Sequence, residues 1–209
     1  MNWTISPASV FQSSPIVPVM VIDDLDDALP MAKALADGGI SIFEITLRTP
    51  VALEAINLIS TAMPDALVGA GTVLNSEQYD AAVNAGAQFT ISPGYSESLL
   101  KHAKQHKVAL IPGVATPSEV MTALEHGYDH LKFFPAEANG GAPALKAICA
   151  PLTQVKFCPT GGINPKNVRD YRAISNVMTV GGSWMLPADK IKAKDWQGIT
   201  ELVKEALAI

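Results

Sequence analysis

Ile40-Ser41-Ile42-Phe43-Glu44-Ile45-Thr46-Leu47-Arg48-Thr49-Pro50 passes directly from a β-rich run to the start of a helix. Isoleucine, phenylalanine and threonine fit a pleated, half-buried surface, so Ile40 to Thr46 is predicted as a strand. Thr49 stands where an N-cap side chain is wanted, and Pro50 where the first helical turn has no use for an N–H. Val51 to Ala62 continues as a helix. The same phrase recurs along the chain. β-rich runs lie at Ile16 to Ile22, Ile40 to Thr46, Ala66 to Ala70, Gln88 to Ser92, Val108 to Pro112, His130 to Phe134, Val155 to Pro159 and Val177 to Val180, eight in all. Helical patterns over Leu25 to Ala36, Ser76 to Ala85 and Pro117 to Glu125 fill the gaps. Thr116-Pro117 and Asn164-Pro165 repeat the cap-then-proline start, and Glu119 completes a capping box with Thr116. Gly38-Gly39, Gly86 and Gly127 supply the left-handed residues at which helices stop.

Strand alternating with helix implies a parallel sheet, and eight such units in one chain of 209 residues predict a single closed (β/α)8 barrel, one domain over 1–209. A doubly wound open sheet is the rival; it would gather its polar residues at one switch point, whereas here they end at least five strands. Residues before Pro15 read as an extra N-terminal helix covering the barrel bottom, and Trp196 to Ile209 as the closing helix.

A hydrophobic content of 48% supports one large core, and a net charge of −5 argues against a nucleic-acid or anionic-membrane surface. An anionic small molecule remains a fitting ligand. Two unpaired cysteines, Cys149 and Cys158, suit a reduced compartment with core thiols. No stretch approaches the roughly 18 apolar residues of a membrane span and no signal peptide is evident, so a soluble, unexported, cytoplasmic protein is expected.

Leu131-Lys132-Phe133-Phe134-Pro135 places a lysine inside an apolar strand. Burial disfavours an ammonium and favours the free amine, the form that attacks a carbonyl carbon. An edge lysine snorkelling to water is the competing account. Lys156 also lies in a strand, but at its start, which faces the stability end of a barrel. Ile42, Glu44 and Thr46 share one strand face, putting a carboxylate indoors, and Arg48 at the strand end can fork onto a substrate carboxylate or pair with Glu44. Val68-Gly69-Ala70-Gly71-Thr72-Val73 lacks the third glycine of a dinucleotide fingerprint; it reads as a loop that lets backbone and the Thr72 hydroxyl approach a ligand. Ser92-Pro93-Gly94 shapes the mouth. Pro159-Thr160-Gly161-Gly162 and Gly181-Gly182-Ser183 follow the last two strands, where barrels hold phosphate on bare backbone N–H groups. His102 and His106 have helical metal-ligand spacing, but no carboxylate lies near them in sequence, and no metal site is expected.

Taken together, Glu44-Ile45-Thr46-Leu47-Arg48, Gly69-Ala70-Gly71-Thr72-Val73, Ser92-Pro93-Gly94, Lys132-Phe133-Phe134-Pro135-Ala136, Pro159-Thr160-Gly161-Gly162-Ile163 and Gly181-Gly182-Ser183-Trp184 resemble the 2-keto-3-deoxy-6-phosphogluconate (KDPG) aldolase family, essentially end to end. The resemblance implies a class I, cofactor-free aldolase of the Entner-Doudoroff pathway, commonly a homotrimer, that cleaves a phosphorylated 2-keto acid and in many members 4-hydroxy-2-oxoglutarate. It makes Lys132 the Schiff-base lysine and Glu44 the general acid/base, with Arg48 and Thr72 on the pyruvate carboxylate. Thr160, Gly161, Gly162, Gly182 and Ser183 would line the phosphate side, and Pro93 and Phe134 would be apolar walls. A phosphosugar epimerase or isomerase would use the glycine loops equally well but would not need Lys132 beside Glu44. A non-catalytic sugar-phosphate sensor would keep the cradle without turnover.

Overall fold

The computed structural model describes residues 2–209. Among these residues nine strands and ten helices follow in the order α1 (Pro7–Gln12), β1 (Ile16–Met20), α2 (Leu25–Asp37), β2 (Ile42–Thr46), α3 (Ala52–Ala62), β3 (Leu67–Gly71), α4 (Ser76–Asn84), β4 (Phe89–Ile91), α5 (Glu97–Ala103), β5 (Ala109–Ile111), β6 (Gly113–Val114), α6 (Pro117–Glu125), β7 (His130–Phe133), α7 (Gly141–Cys149), β8 (Lys156–Pro159), α8 (Val168–Arg172), β9 (Val180–Gly182), α9 (Ala188–Lys192) and α10 (Trp196–Leu207). Every named strand pairing is parallel.

The single closed eight-stranded barrel expected from the sequence is corrected by the pairing. Six strands form one curled sheet in the order β5-β4-β3-β2-β1-β9, and β6-β7-β8 form a second. The expected fifth strand divides at Pro112, which has no N–H to give to a ladder. Its carbonyl nevertheless accepts from Lys132 N at 3.0 Å, so the chain hands over from the first sheet to the second at this residue. On the other flank, β8 meets the last strand region through two isolated bridges, Phe157 with Val177 and Thr160 with Gly181, in place of a continuous ladder. The expected strand over Val177 to Val180 is accordingly displaced to Val180–Gly182.

Period-two alternation sets the two faces of the strands. Phe43, Phe89, Phe133 and Phe157 are fully buried on β2, β4, β7 and β8, while of their neighbours Glu44, Thr90 and Lys132 are buried polar residues and Cys158 is a buried thiol. The phenylalanines and the apolar faces of the helices form one continuous core. α10 packs on α2, with Thr200 Oγ1 donating to Ala34 O at 2.9 Å, so the last helix lies beside the first long one. α1 caps the N-terminal ends of the strands as expected: its buried Phe11 ring stands 5.4 Å from His130, which opens β7.

The helix signals fared unevenly. Thr116 and Glu119 form the predicted capping box of α6, and Gly39, Gly86 and Gly127 take positive φ after their helices. Thr49 is not an N-cap; its hydroxyl donates to Ile22 O at 2.6 Å, and Val51 precedes α3 without a side-chain cap. Asn164 caps a turn through Lys166 N, and α8 begins only at Val168. Both cysteines are free and buried.

Candidate active site

β2 is buried along its whole length, and Glu44 at its centre is 1% exposed. The register sets it against Val19 of β1 and Gly69 of β3. Gly71, two residues further along β3, makes the space: a Cβ there would overlap the Glu44 Oε1 atom. Gly71 was expected to admit a ligand; its missing side chain instead accommodates the protein's own carboxylate.

Lys132 is the third residue of β7, 6% exposed, registered between Gly113 and Cys158. Its Nζ donates to Glu44 Oε1 at 3.1 Å. The pair is therefore a buried, hydrogen-bonded ammonium and carboxylate, an arrangement whose removal of one partner strands the other in low dielectric. The Phe134 ring faces the same nitrogen, its centroid 5.2 Å away, and supports a cation there. Level with Lys132 on the neighbouring strand, the Cys158 thiol is pushed up to about 12 by burial, with the Glu44 charge adding to the rise, so it stays a neutral thiol near neutral pH.

Arg48 follows β2 and, among the described residues, forms no ion pair; the expected alternative of a Glu44 to Arg48 pair is replaced by the Glu44 to Lys132 contact. Arg48 lines a cavity of about 190 Å³ together with Val19, Phe134, Thr160, Gly161, Gly162, Gly182 and Ser183. All five residues expected for the phosphate side and one of the two apolar walls thus surround one space with a free guanidinium. Gly161 and Gly162 have φ of 105° and 80°, values that side-chain-bearing residues rarely adopt, and they bend the loop after β8 into the cavity wall. Gly181 is held tight against Thr160, whose hydroxyl a Cβ at that position would overlap. Thr160 is buried; Ser183 is exposed at the rim.

Thr72 is half-buried just beyond Gly71, with φ of 60°. A β-branched residue in the left-handed region is uncommon and marks a backbone held for a purpose. Pro93 lines a second cavity of about 280 Å³ with Tyr95, Glu119 and Phe134, so the Phe134 ring separates two spaces at the same mouth. Lys156 opens β8 opposite His130, at the far end of the strands from the mouth. Val19 was missed from the sequence because nothing distinguishes it from the other apolar residues of its strand.

The family model for KDPG and KHG aldolase matches residues 8–202. The KHG/KDPG aldolase of Escherichia coli K12 is 52% identical over 206 residues, which cover 99% of this chain and 97% of that protein. The 2-dehydro-3-deoxy-phosphogluconate aldolase of Dickeya dadantii is 52% identical over 207 residues, with 99% and 97% covered. Among solved structures, the KDPG aldolase of Legionella pneumophila, with pyruvate captured at low pH as a covalent carbinolamine, superposes with a TM-score of 0.96 at 52% identity, covering 98% of this chain and 99% of that one.

Proposed function

From the premise that this chain belongs to the KDPG and KHG aldolase family, we propose that Lys132 is its Schiff-base nucleophile and Glu44 its general acid/base. The protein is a class I aldolase that cleaves 2-keto-3-deoxy-6-phosphogluconate to pyruvate and glyceraldehyde 3-phosphate, and 4-hydroxy-2-oxoglutarate to pyruvate and glyoxylate. The observation that supports the residue roles is the Lys132 to Glu44 contact: an amine and a carboxylate, both buried, 3.1 Å apart at the inner face of the sheets.

Glu44 accepts the proton that the ammonium must lose before its lone pair can attack. The amine adds to the C2 ketone to give a carbinolamine, the kind of adduct captured in the Legionella relative. Glu44 returns a proton to the departing hydroxyl, water leaves, and a cationic iminium remains beside the Phe134 ring. Deprotonation of the C4 hydroxyl by Glu44, directly or through water, breaks the C3–C4 bond; its electron pair moves into the iminium, giving an enamine and releasing the aldehyde. Protonation at C3 and hydrolysis then free pyruvate and the lysine.

Arg48 and Thr72 hold the pyruvate carboxylate, keeping the breaking bond aligned with the iminium π system. Thr160, Gly161, Gly162, Gly182 and Ser183 receive the phosphate, and Pro93 and Phe134 exclude water from the reacting carbons. The chain acts as a homotrimer in the cytoplasm, a reading supported by the family resemblance; no helix among the described residues is long and apolar enough to cross a membrane.

Incubation with pyruvate, borohydride reduction and peptide mass mapping tests the nucleophile. The reduced adduct is expected on Lys132; an adduct on Lys156 overturns the assignment.

A further inference from the structure

His102 and His106 have no carboxylate near them in sequence, but the fold supplies one. Asp80 on α4 reaches His102 on α5, with His102 Nε2 and Asp80 Oδ1 2.7 Å apart. His106, in the turn after α5, lies against His102 with ring centroids 4.4 Å apart and the rings tilted by 36°. One ligating atom from each of the three lies within 4.8 Å of the others, and all three residues are half-buried. We propose that Asp80, His102 and His106 form a binding site for a divalent transition-metal ion of the zinc class, on the outer helical layer and separate from the Lys132 site.

The donor set fits this chemistry. Two neutral imidazoles and a carboxylate are ordinary zinc ligands, and a water completes the tetrahedron. With zinc to nitrogen or oxygen bonds of about 2.0–2.1 Å, tetrahedral ligands stand roughly 3.3 Å apart, a spacing that lies between the 2.7 Å of the His102 to Asp80 contact and the 4.8 Å within which all three atoms fall. For His102 to bind through Nε2 its ring proton sits on Nδ1, so the hydrogen bond between His102 and Asp80 is exchanged for a metal bond to each.

The rings are also held from behind, as ligands in built sites are. Tyr79, adjacent to Asp80 in sequence and fully buried, sets its ring edge-on to His102 at 5.6 Å and to His106 at 5.5 Å. Its hydroxyl donates to Val108 O, so the platform is anchored to the residue before β5. One rigid aromatic thus orients both imidazoles, the role that outer-shell partners play around metal ligands. The site joins α4 to the turn after α5, two segments otherwise connected through β4, and the ion acts as a structural clamp. It takes no part in imine chemistry, and the inference stands independently of the aldolase reading.

The full-length protein, stripped with EDTA and dialysed, is titrated with zinc chloride by calorimetry. One zinc per chain is expected, with affinity weakened at least about tenfold in Asp80→Asn and in His106→Gln. Both positions are partly solvent-exposed, and circular dichroism verifies that each variant is folded. His130→Asn removes the other imidazole to carboxylate contact, Asp129 with His130, and is expected to leave binding intact. At zinc about 100-fold above its dissociation constant, Tm rises by about 5–10 °C in the parent protein and not in the two ligand variants. Absence of saturable uptake, or uptake unaffected by Asp80→Asn and His106→Gln, overturns the site. Pyruvate release that depends on added zinc overturns its assignment as a clamp.

Discussion

Lys132 and Lys156 stand on neighbouring strands, and the register makes the contrast between them sharp. Lys132 lies opposite Cys158, so Lys156 sits two residues, about 6–7 Å, nearer the strand starts. At the depth of Lys132 the nitrogen meets a carboxylate and a phenylalanine face. At the depth of Lys156 it meets His130 and the end of the molecule that α1 covers. The same side chain is therefore buried against a carboxylate at one level and a partly solvated strand end at the other. What separates them is height in the sheet and the company found there, since both are lysines in apolar strands.

The largest test of this contrast is a pair of substitutions. Lys132→Met is expected to lower kcat by at least about 10⁴-fold, because no other amine stands where the ketone arrives. Lys156→Met should leave turnover at the parent level and change stability by no more than about 1 kcal/mol. Steady-state pyruvate release measures both, and equal losses would dissolve the distinction. Glu44→Gln should lower cleavage by about 10²–10⁴-fold and slow hydrogen exchange at the pyruvate methyl group, with imine formation less affected. Unchanged exchange in deuterated water argues against its proton-transfer role.

Gly71→Ala sharpens the comparison without replacing either ionisable group. The new methyl occupies the space of the Glu44 carboxylate, so a loss of about 10²-fold in kcat is expected together with about 1–3 kcal/mol of stability. A variant as destabilised as this but fully active would show that the carboxylate does not need its present place. The smallest effect is expected at the rim: Ser183→Ala should weaken kcat/KM for the phosphorylated substrate by about tenfold while sparing 4-hydroxy-2-oxoglutarate. Equal losses on both substrates remove Ser183 from the phosphate side.

The buried charges of Glu44 and Lys132 were legible in the sequence because charge inside an apolar strand is expensive and so conspicuous. Strand and helix centres were legible too, since their hydrophobic periods are local. Thr49 misled because its hydroxyl had a choice between its own helix and the Ile22 carbonyl, and tertiary packing decided for the latter. The division of the sheet was partly written at Pro112, whose missing N–H is a signal that the strand reading passed over. The Asp80 contact to His102 was not legible at all, because it depends on how α4 lies against α5.

Glu44 belongs to the six-stranded sheet and Lys132 to the three-stranded one, and the amide of Lys132 hangs from the Pro112 carbonyl where the two meet. Acid and amine are thus contributed by opposite banks of a seam. Any slippage of one bank past the other alters their spacing directly, whereas neither bank needs to lose a single ladder bond for that to happen. The spacing of Glu44 and Lys132 is in effect a gauge of how firmly the halves of the molecule are joined.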